Sequence, residues 1–220
     1  MTKIFRPRDL IDRKALMLAL KDRGCALRAG TQTQEKSLVI FKDTQRRGWN
    51  EVRHRFEDVT RNAFDSIHET SYLVDQLIRT IQDFASNKAF PSGNPTPGEG
   101  MTLLATGGYG RQELAPYSDI DIMFLLPYKI TARSEQIIEF VLYMLWDMGL
   151  NVGHATRSVN EALSLAKKDL TIRTSLLESR WLWGSQKLAS DFKRRFLNEI
   201  VSPSGPEFVK AKLAERDSRH

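Results

Sequence analysis

Along the chain, apolar positions recur at helical steps near both ends, while the middle is strand-rich. Val52, Phe56, Val59, Ala63, Phe64, Ile67, Leu73, Leu77, Ile81 and Phe84 recur mostly at three- and four-residue steps. This stripe predicts one long amphipathic helix over about 51–85, with Asn50 as its N-cap. Upstream, Leu10, Ala15, Leu18 and Ala19 predict a shorter helix over about 9–23, ended by Gly24 or Gly30. Residues 31–36 are polar and read as a loop or a helix start. Residues 86–100, rich in Gly, Pro, Ser and Asn, predict a loop.

From Met101 the period changes. Leu103, Leu104 and Ala105 form a short apolar strand running into Gly107 and Gly108, a turn that opens a short helical segment. A second strand over 119–126 places Asp119 and Asp121 on one face, Ile120 and Ile122 on the other. A helix over about 135–148 follows, capped by Ser134 and ended by Gly149. Residues 150–157 read as a third strand. Ser158-Val159-Asn160-Glu161 is a capping-box pattern for a helix to about Lys168. Asp169 opens a helix over about 170–182, ended by Gly184, and another spans about 186–200. Pro206 suits the first turn of the last helix. The expected fold is α+β: a small mixed sheet flanked by helices over 101–184, a helical region over 1–100, and the start of a further helical region over 185–220.

Composition narrows the function classes. Cys25 is the only cysteine, which excludes an internal disulfide and a cysteine-rich zinc site. The first ten residues carry charges where a signal peptide is apolar, and no apolar run is long enough to span a bilayer. The expectation is a cytoplasmic protein with no membrane partner. The formal net charge is +6, with much of the excess before Gly48. Such an excess suits triphosphate, nucleic acid or an acidic protein surface. No aromatic-interleaved basic patch appears, so no nucleic-acid partner is expected, and the basic N-terminus reads first as a solvated arm. His54 and His68 lack acidic or cysteine companions at ligand spacing and read as surface or core-edge residues.

The chemistry lies in the middle. Two carboxylates on one face of a strand otherwise made of Ile, Met, Phe and Leu are costly to bury without a cation. Hard oxygen ligands suit Mg²⁺, which binds through one or two carboxylates plus substrate phosphates. The twin glycines just upstream let backbone N–H groups approach a phosphate. Together these features point to chemistry on a nucleoside triphosphate.

Gly107-Gly108-Tyr109-Gly110-Arg111-Gln112-Glu113-Leu114, then Pro116, then Ser118-Asp119-Ile120-Asp121, resembles the signature of the polymerase-β-type nucleotidyltransferase superfamily. Within it, the match is nearest the PII uridylyltransferases. Gly153-His154-Ala155-Thr156-Arg157, Asp169-Leu170-Thr171 and Ser175-Leu176-Leu177-Glu178-Ser179-Arg180 are also similar to that subfamily. The resemblance implies transfer of UMP from UTP to a tyrosine of the PII protein, with release of pyrophosphate. It implies Asp119 and Asp121 as catalytic Mg²⁺ ligands, and Gly107, Gly108, Arg111 and Ser118 as phosphate-binding residues. Many relatives carry Ser where this chain has Gly108, and Ser118 offers a replacement hydroxyl. Arg111 has an alternative partner in Glu113.

A third carboxylate normally lies on the strand after the intervening helix. Residues 150–157 contain no acid. Asp169 and Glu178 are the nearby candidates; Asp169 also suits a helix N-cap, and Glu178 an ion pair with Arg173 or Arg180. The ligand also has room beyond His220. PII uridylyltransferases are longer, with HD-type and ACT modules, so this chain is expected to be a fragment lacking deuridylylation and glutamine sensing. Two rivals stand beside this reading: a small-molecule, aminoglycoside-type nucleotidyltransferase, and a catalytically degenerate nucleotide-binding module.

Overall fold

The structure, a computed structural model, describes residues 7–23, 31–58, 62–93 and 100–218. Four helices come first: α1 (Pro7–Leu10), α2 (Arg13–Asp22), α3 (Thr31–Phe56) and α4 (Ala63–Phe84). Then come β1 (Thr102–Ala105), the single turn α5 (Gly107–Gly110), β2 (Ile120–Leu126), α6 (Ala132–Asp147) and β3 (Val152–Ser158). They are followed by α7 (Val159–Lys168), α8 (Leu170–Leu177), β4 (Arg180–Gly184), α9 (Gln186–Phe196) and α10 (Ser202–Ser218).

The four strands form one mixed sheet in the order β3-β2-β1-β4. β1 is antiparallel to both β2 and β4, and β2 is parallel to β3. A parallel pair needs a crossover, and α6 supplies it. Alternation sends the two faces of the sheet into two apolar clusters. Leu103, Ile122, Phe124 and Leu182 pack with α2, α3, α4 and α6. Leu104, Met123 and Leu125 pack with α7, α8 and α9, against Leu163, Leu176, Phe192 and Phe196. Every β2 residue from Ile122 to Leu126 is therefore buried. The architecture is α+β, a small mixed sheet flanked by helices.

Several elements depart from the periodicity. The predicted helix over 51–85 is two helices. Asn50 lies inside α3, and the cap of α4 is Asn62, whose side chain accepts from the Phe64 N–H. Doubling back lets each helix bury its stripe on the other. Gly48 marks the contact, because a Cβ there would lie 2.5 Å from Leu73. Phe56 and Phe64, beside the break, are left exposed, and Val59 lies outside the described residues. The polar stretch 31–36 is the first part of α3. The helix expected over 9–23 is interrupted, with Asp12 capping α2 through the N–H groups of Lys14 and Ala15. Gly24 and Gly30 lie outside the described residues.

Ala85–Ala89 continues α4 as a π-helical turn where a loop was expected. The cap of α6 is Thr131, with Ser134 at the third helical position completing a reciprocal capping box. Gly149 ends α6 with φ +76°, and the N–H of Leu150 donates to Leu145 O in a Schellman arrangement. Ser158 and Glu161 form the expected capping box of α7. The largest difference is β4, where a helix was expected to run to 182. α8 stops at Leu177, and Trp181-Leu182-Trp183 turns strand-like because Leu182 fills one cluster while Trp181 meets the other. α10 kinks at Ser204, two residues before Pro206. His54 and His68 are exposed. Among the described residues, no helix is long and apolar enough to cross a membrane.

Candidate active site

β1 ends at Ala105, and the chain turns through Thr106 into α5. Gly107 has φ +58°, in the left-handed region that glycine enters without strain. A Cβ there would lie 3.3 Å from Asp121 Oδ2, so the turn and the acid abut. The Thr106 N–H donates to the Asp121 carbonyl at 3.0 Å, tying the turn to β2. The first N–H groups of such a turn have no partner within it. Over Gly108 hangs Arg111, its Nη2 being 3.7 Å from where a Cβ would stand.

Asp119 directly precedes β2, and its Oδ1 accepts from Asn151 Nδ2 at 2.6 Å. Asp121 faces Gly153 across the β2–β3 ladder. A Cβ on Gly153 would lie 2.5 Å from Asp121 Oδ1, so that glycine makes room for the carboxylate. Burial, and then the charge of Asp119, push the Asp121 carboxyl above its ordinary range. Asp119 and Asp121 thus share the sheet face that carries Met123 and Leu125, at its β2 entrance. The structure brings this pair together with Gly107 and Gly108.

Arg111 Nε donates to Glu113 Oε2 at 2.8 Å, and its Nη1 lies 2.6 Å from Glu178 Oε1. The hydrogen bonds to Glu113 and then Glu178 hold its guanidinium above its usual pKa. Glu178 therefore pairs with Arg111 and not with Arg173 or Arg180. Arg173 is spent on the Ala166 and Lys167 carbonyls and Ser204, and Arg180 on Asp75. Asp169 caps α8, accepting from the N–H groups of Thr171 and Ile172 at 2.7 and 3.0 Å. Ser118 is exposed, one residue before Asp119. The loop leading to it holds two non-glycine residues in the left-handed region, Gln112 and the fully exposed Tyr117.

Among the described residues, no group of three or more His, Cys, Asp or Glu side chains gathers as a metal cluster. Asp119 and Asp121 stand there as a pair, and no salt bridge among the described residues reaches either. Two such carboxylates can hold a hard divalent cation whose other ligands come from substrate or water. His154 is not with them; its ring packs 5.7 Å from Trp146 on the α6 side of the sheet. Asn151, Gly153 and Asp75 were not singled out by spacing. The first two owe their place to the β2–β3 register. For Asp75 a signal existed: an acid among the apolar residues Val74, Leu77 and Ile78 of α4.

A small mixed sheet with helices on both faces, with an acid pair and a glycine turn meeting at one strand end, defines an α+β protein with a polar site at the start of β2. No protein-family profile matches the chain. It is 47% identical over 218 residues to the bifunctional uridylyltransferase/uridylyl-removing enzyme of Rhodospirillum rubrum, covering 99% of this chain and 23% of that protein. The enzyme of the same name from Azospirillum brasilense is 46% identical over 213 residues, 97% of this chain and 23% of its own length. That from Novosphingobium aromaticivorans is 40% identical over 218 residues, 99% of this chain and 24% of its own. Over nearly its whole length the chain is thus similar to a segment of proteins named bifunctional uridylyltransferase/uridylyl-removing enzyme, and it spans less than a quarter of the length of these curated relatives.

Proposed function

We propose that this chain is a nucleotidyl-transfer unit that moves UMP from UTP to a tyrosine of a PII regulatory protein, releasing pyrophosphate. One observation carries the reading: the Asp121 carboxylate lies against the Gly107 turn in a chain 40–47% identical to proteins named uridylyltransferases. A cytoplasmic location without a nucleic-acid partner belongs to the same proposal.

The residues fit a divalent cation. The like charges of Asp119 and Asp121 are close enough for one to raise the other's pKa, and Gly153 leaves the second carboxylate unobstructed. Asp119 and Asp121 would hold Mg²⁺, which when bound neutralises triphosphate oxygens and eases loss of the attacking proton. Backbone N–H groups at Gly107 and Gly108 receive the phosphates. Arg111 offers forked donors to phosphate oxygens, exchanging Glu178 or Glu113 for them. Ser118 offers a hydroxyl at the same edge. The tyrosine phenol of the acceptor, with an ordinary pKa of about 10, attacks the α-phosphorus. A phenolic O–P bond forms, the α–β bridge breaks, and pyrophosphate leaves. The chain contributes alignment and charge stabilisation.

The test is incubation of the purified chain with α-labelled UTP, magnesium and either PII protein or an aminoglycoside. Label on a PII tyrosine, lost in Asp119→Ala and Asp121→Ala chains that still fold, is the expected result. Label on the aminoglycoside overturns the acceptor assignment. The acid pair without a third carboxylate among the described residues favours one second reading, a module that binds nucleotide without turnover. UTP binding with no pyrophosphate release would establish it.

A further inference from the structure

We propose that Asp75 is a positioning residue for the glycine turn, acting through Tyr109 and Arg180; this rests on the reading of that turn as phosphate-binding. Asp75 lies on α4, in the helical region, with its side chain only 5% exposed. Tyr109 Oη donates to its Oδ1 at 2.7 Å. Arg180, the first residue of β4, reaches both carboxylate oxygens: Nη1 to Oδ2 at 2.6 Å and Nη2 to Oδ1 at 3.0 Å. The same guanidinium donates to the carbonyls of Tyr109 and Gly110, each at 3.2 Å, and lies 5.5 Å from the Tyr109 ring. One carboxylate from α4 and one guanidinium from β4 thus grip α5 by side chain and main chain together.

The grip has a second point. One turn earlier on α4, Ser71 Oγ accepts from the Leu114 N–H at 3.1 Å. Positions four apart share a helix face, so α4 fixes both ends of the 109–114 segment. Gly110 leaves no slack, because a Cβ there would lie 2.0 Å from the Glu178 carbonyl oxygen. Burial and then the Asp75 charge hold the Tyr109 phenol well above its ordinary pKa, which keeps it a donor. For Arg180, burial pulls downward, but the hydrogen bond and charge of Asp75 raise its pKa overall. A buried carboxylate–guanidinium pair is weak evidence for stability, since apolar replacements often hold a fold as well. What such a pair does supply is orientation. Here it fixes the direction of the N–H groups at Gly107 and Gly108, beside Asp121.

The test compares Asp75→Asn, Tyr109→Phe and a core control on the same helix, Val74→Ala, in the 220-residue chain. Far-UV circular dichroism sets a temperature at which all are folded. Two quantities are then read: the Kd for UTP with magnesium, and amide exchange across 107–113. In Asp75→Asn, exchange there should quicken and Kd should rise about tenfold or more, with a smaller rise in Tyr109→Phe. Val74→Ala should leave Kd within about twofold at a matched loss of Tm. An equal rise in Kd in Val74→Ala, or unchanged exchange or affinity in a folded Asp75→Asn, overturns the proposal. If Asp75→Asn does not fold, Tyr109→Phe decides by the same two readings. Should the unmutated chain take up no UTP, the functional reading fails, and exchange alone then decides the clamp: quicker exchange sustains it, unchanged exchange refutes it.

Discussion

Asp121 is held on the strand that crosses the middle of the sheet, and its carboxyl is raised by burial and then by Asp119. A raised folded-state pKa means the native chain binds that proton more tightly than the unfolded chain does. Stability from this group is fullest below the ordinary carboxylate value and is lost as pH climbs through the raised one. At neutral pH the ionised form is therefore a small liability. Asp121→Asn should raise the unfolding free energy of the metal-free chain at pH 7 by about half a kcal/mol or less, because water screens a partly exposed carboxylate. The same change should abolish transfer. Urea titration in EDTA at pH 7 and at acid pH checks the sign, and a gain that persists at acid pH would contradict it. At this scale the acids and glycines were legible, because strand alternation alone puts Asp119 and Asp121 together. The bond between Asp75 and Arg180 was not, because the two lie 105 positions apart. Nothing in local spacing announces a bond across that distance.

Elements were legible where their ends carry chemistry. The capping box at Ser158 and Glu161, the cap at Asp169 and the glycine stop at Gly149 each name a backbone group that needs a partner. An apolar stripe names none. It continues in phase whether a helix runs on or folds back, which is why the break between α3 and α4 was invisible. β4 was missed for a related reason: a run of three large apolar residues, Trp181-Leu182-Trp183, fits either period, and only tertiary pairing with β1 decides. The β2–β3 pair yields a prediction. Gly153→Ala puts a methyl carbon 2.5 Å from Asp121 Oδ1, and the carboxylate must rotate away or the strand must shift. Transfer should fall at least about tenfold, with circular dichroism unchanged, since a displaced carboxylate at the proposed site costs more in reaction than in folding. Undiminished transfer would remove Asp121 from the chemistry.

Across the whole molecule, the helical region and the sheet share one apolar interior. Phe41 and Phe84 stack edge-on, Phe84 meets Phe140, and Leu73, Leu77 and Ile81 join Leu103 and Ile122 in a single cluster. Polar ties cross the same boundary. Asp83, on α4, is bound by Arg13 from α2 and accepts from Trp183 Nε1 on β4 at 2.6 Å. Asp83→Ala strands the indole N–H and frees the guanidinium, and should cost about 1–3 kcal/mol. Denaturant unfolding followed by tryptophan fluorescence measures it; an unaltered midpoint would mean water replaces both partners. The sequence pattern placed a helical region before a sheet without showing that they are interdependent, because burial between distant segments leaves no period of its own.

That shared interior has a practical corollary for anyone dissecting the chain. Scissors applied at the Gly- and Pro-rich stretch before Met101 would strip Leu103, Ile122, Phe124 and Leu182 of the cover given by α2, α3 and α4, leave α6 alone on that face, and turn the rest of a greasy slab to water. A piece beginning there should clump on purification, whereas one beginning ahead of α2 should stay monodisperse.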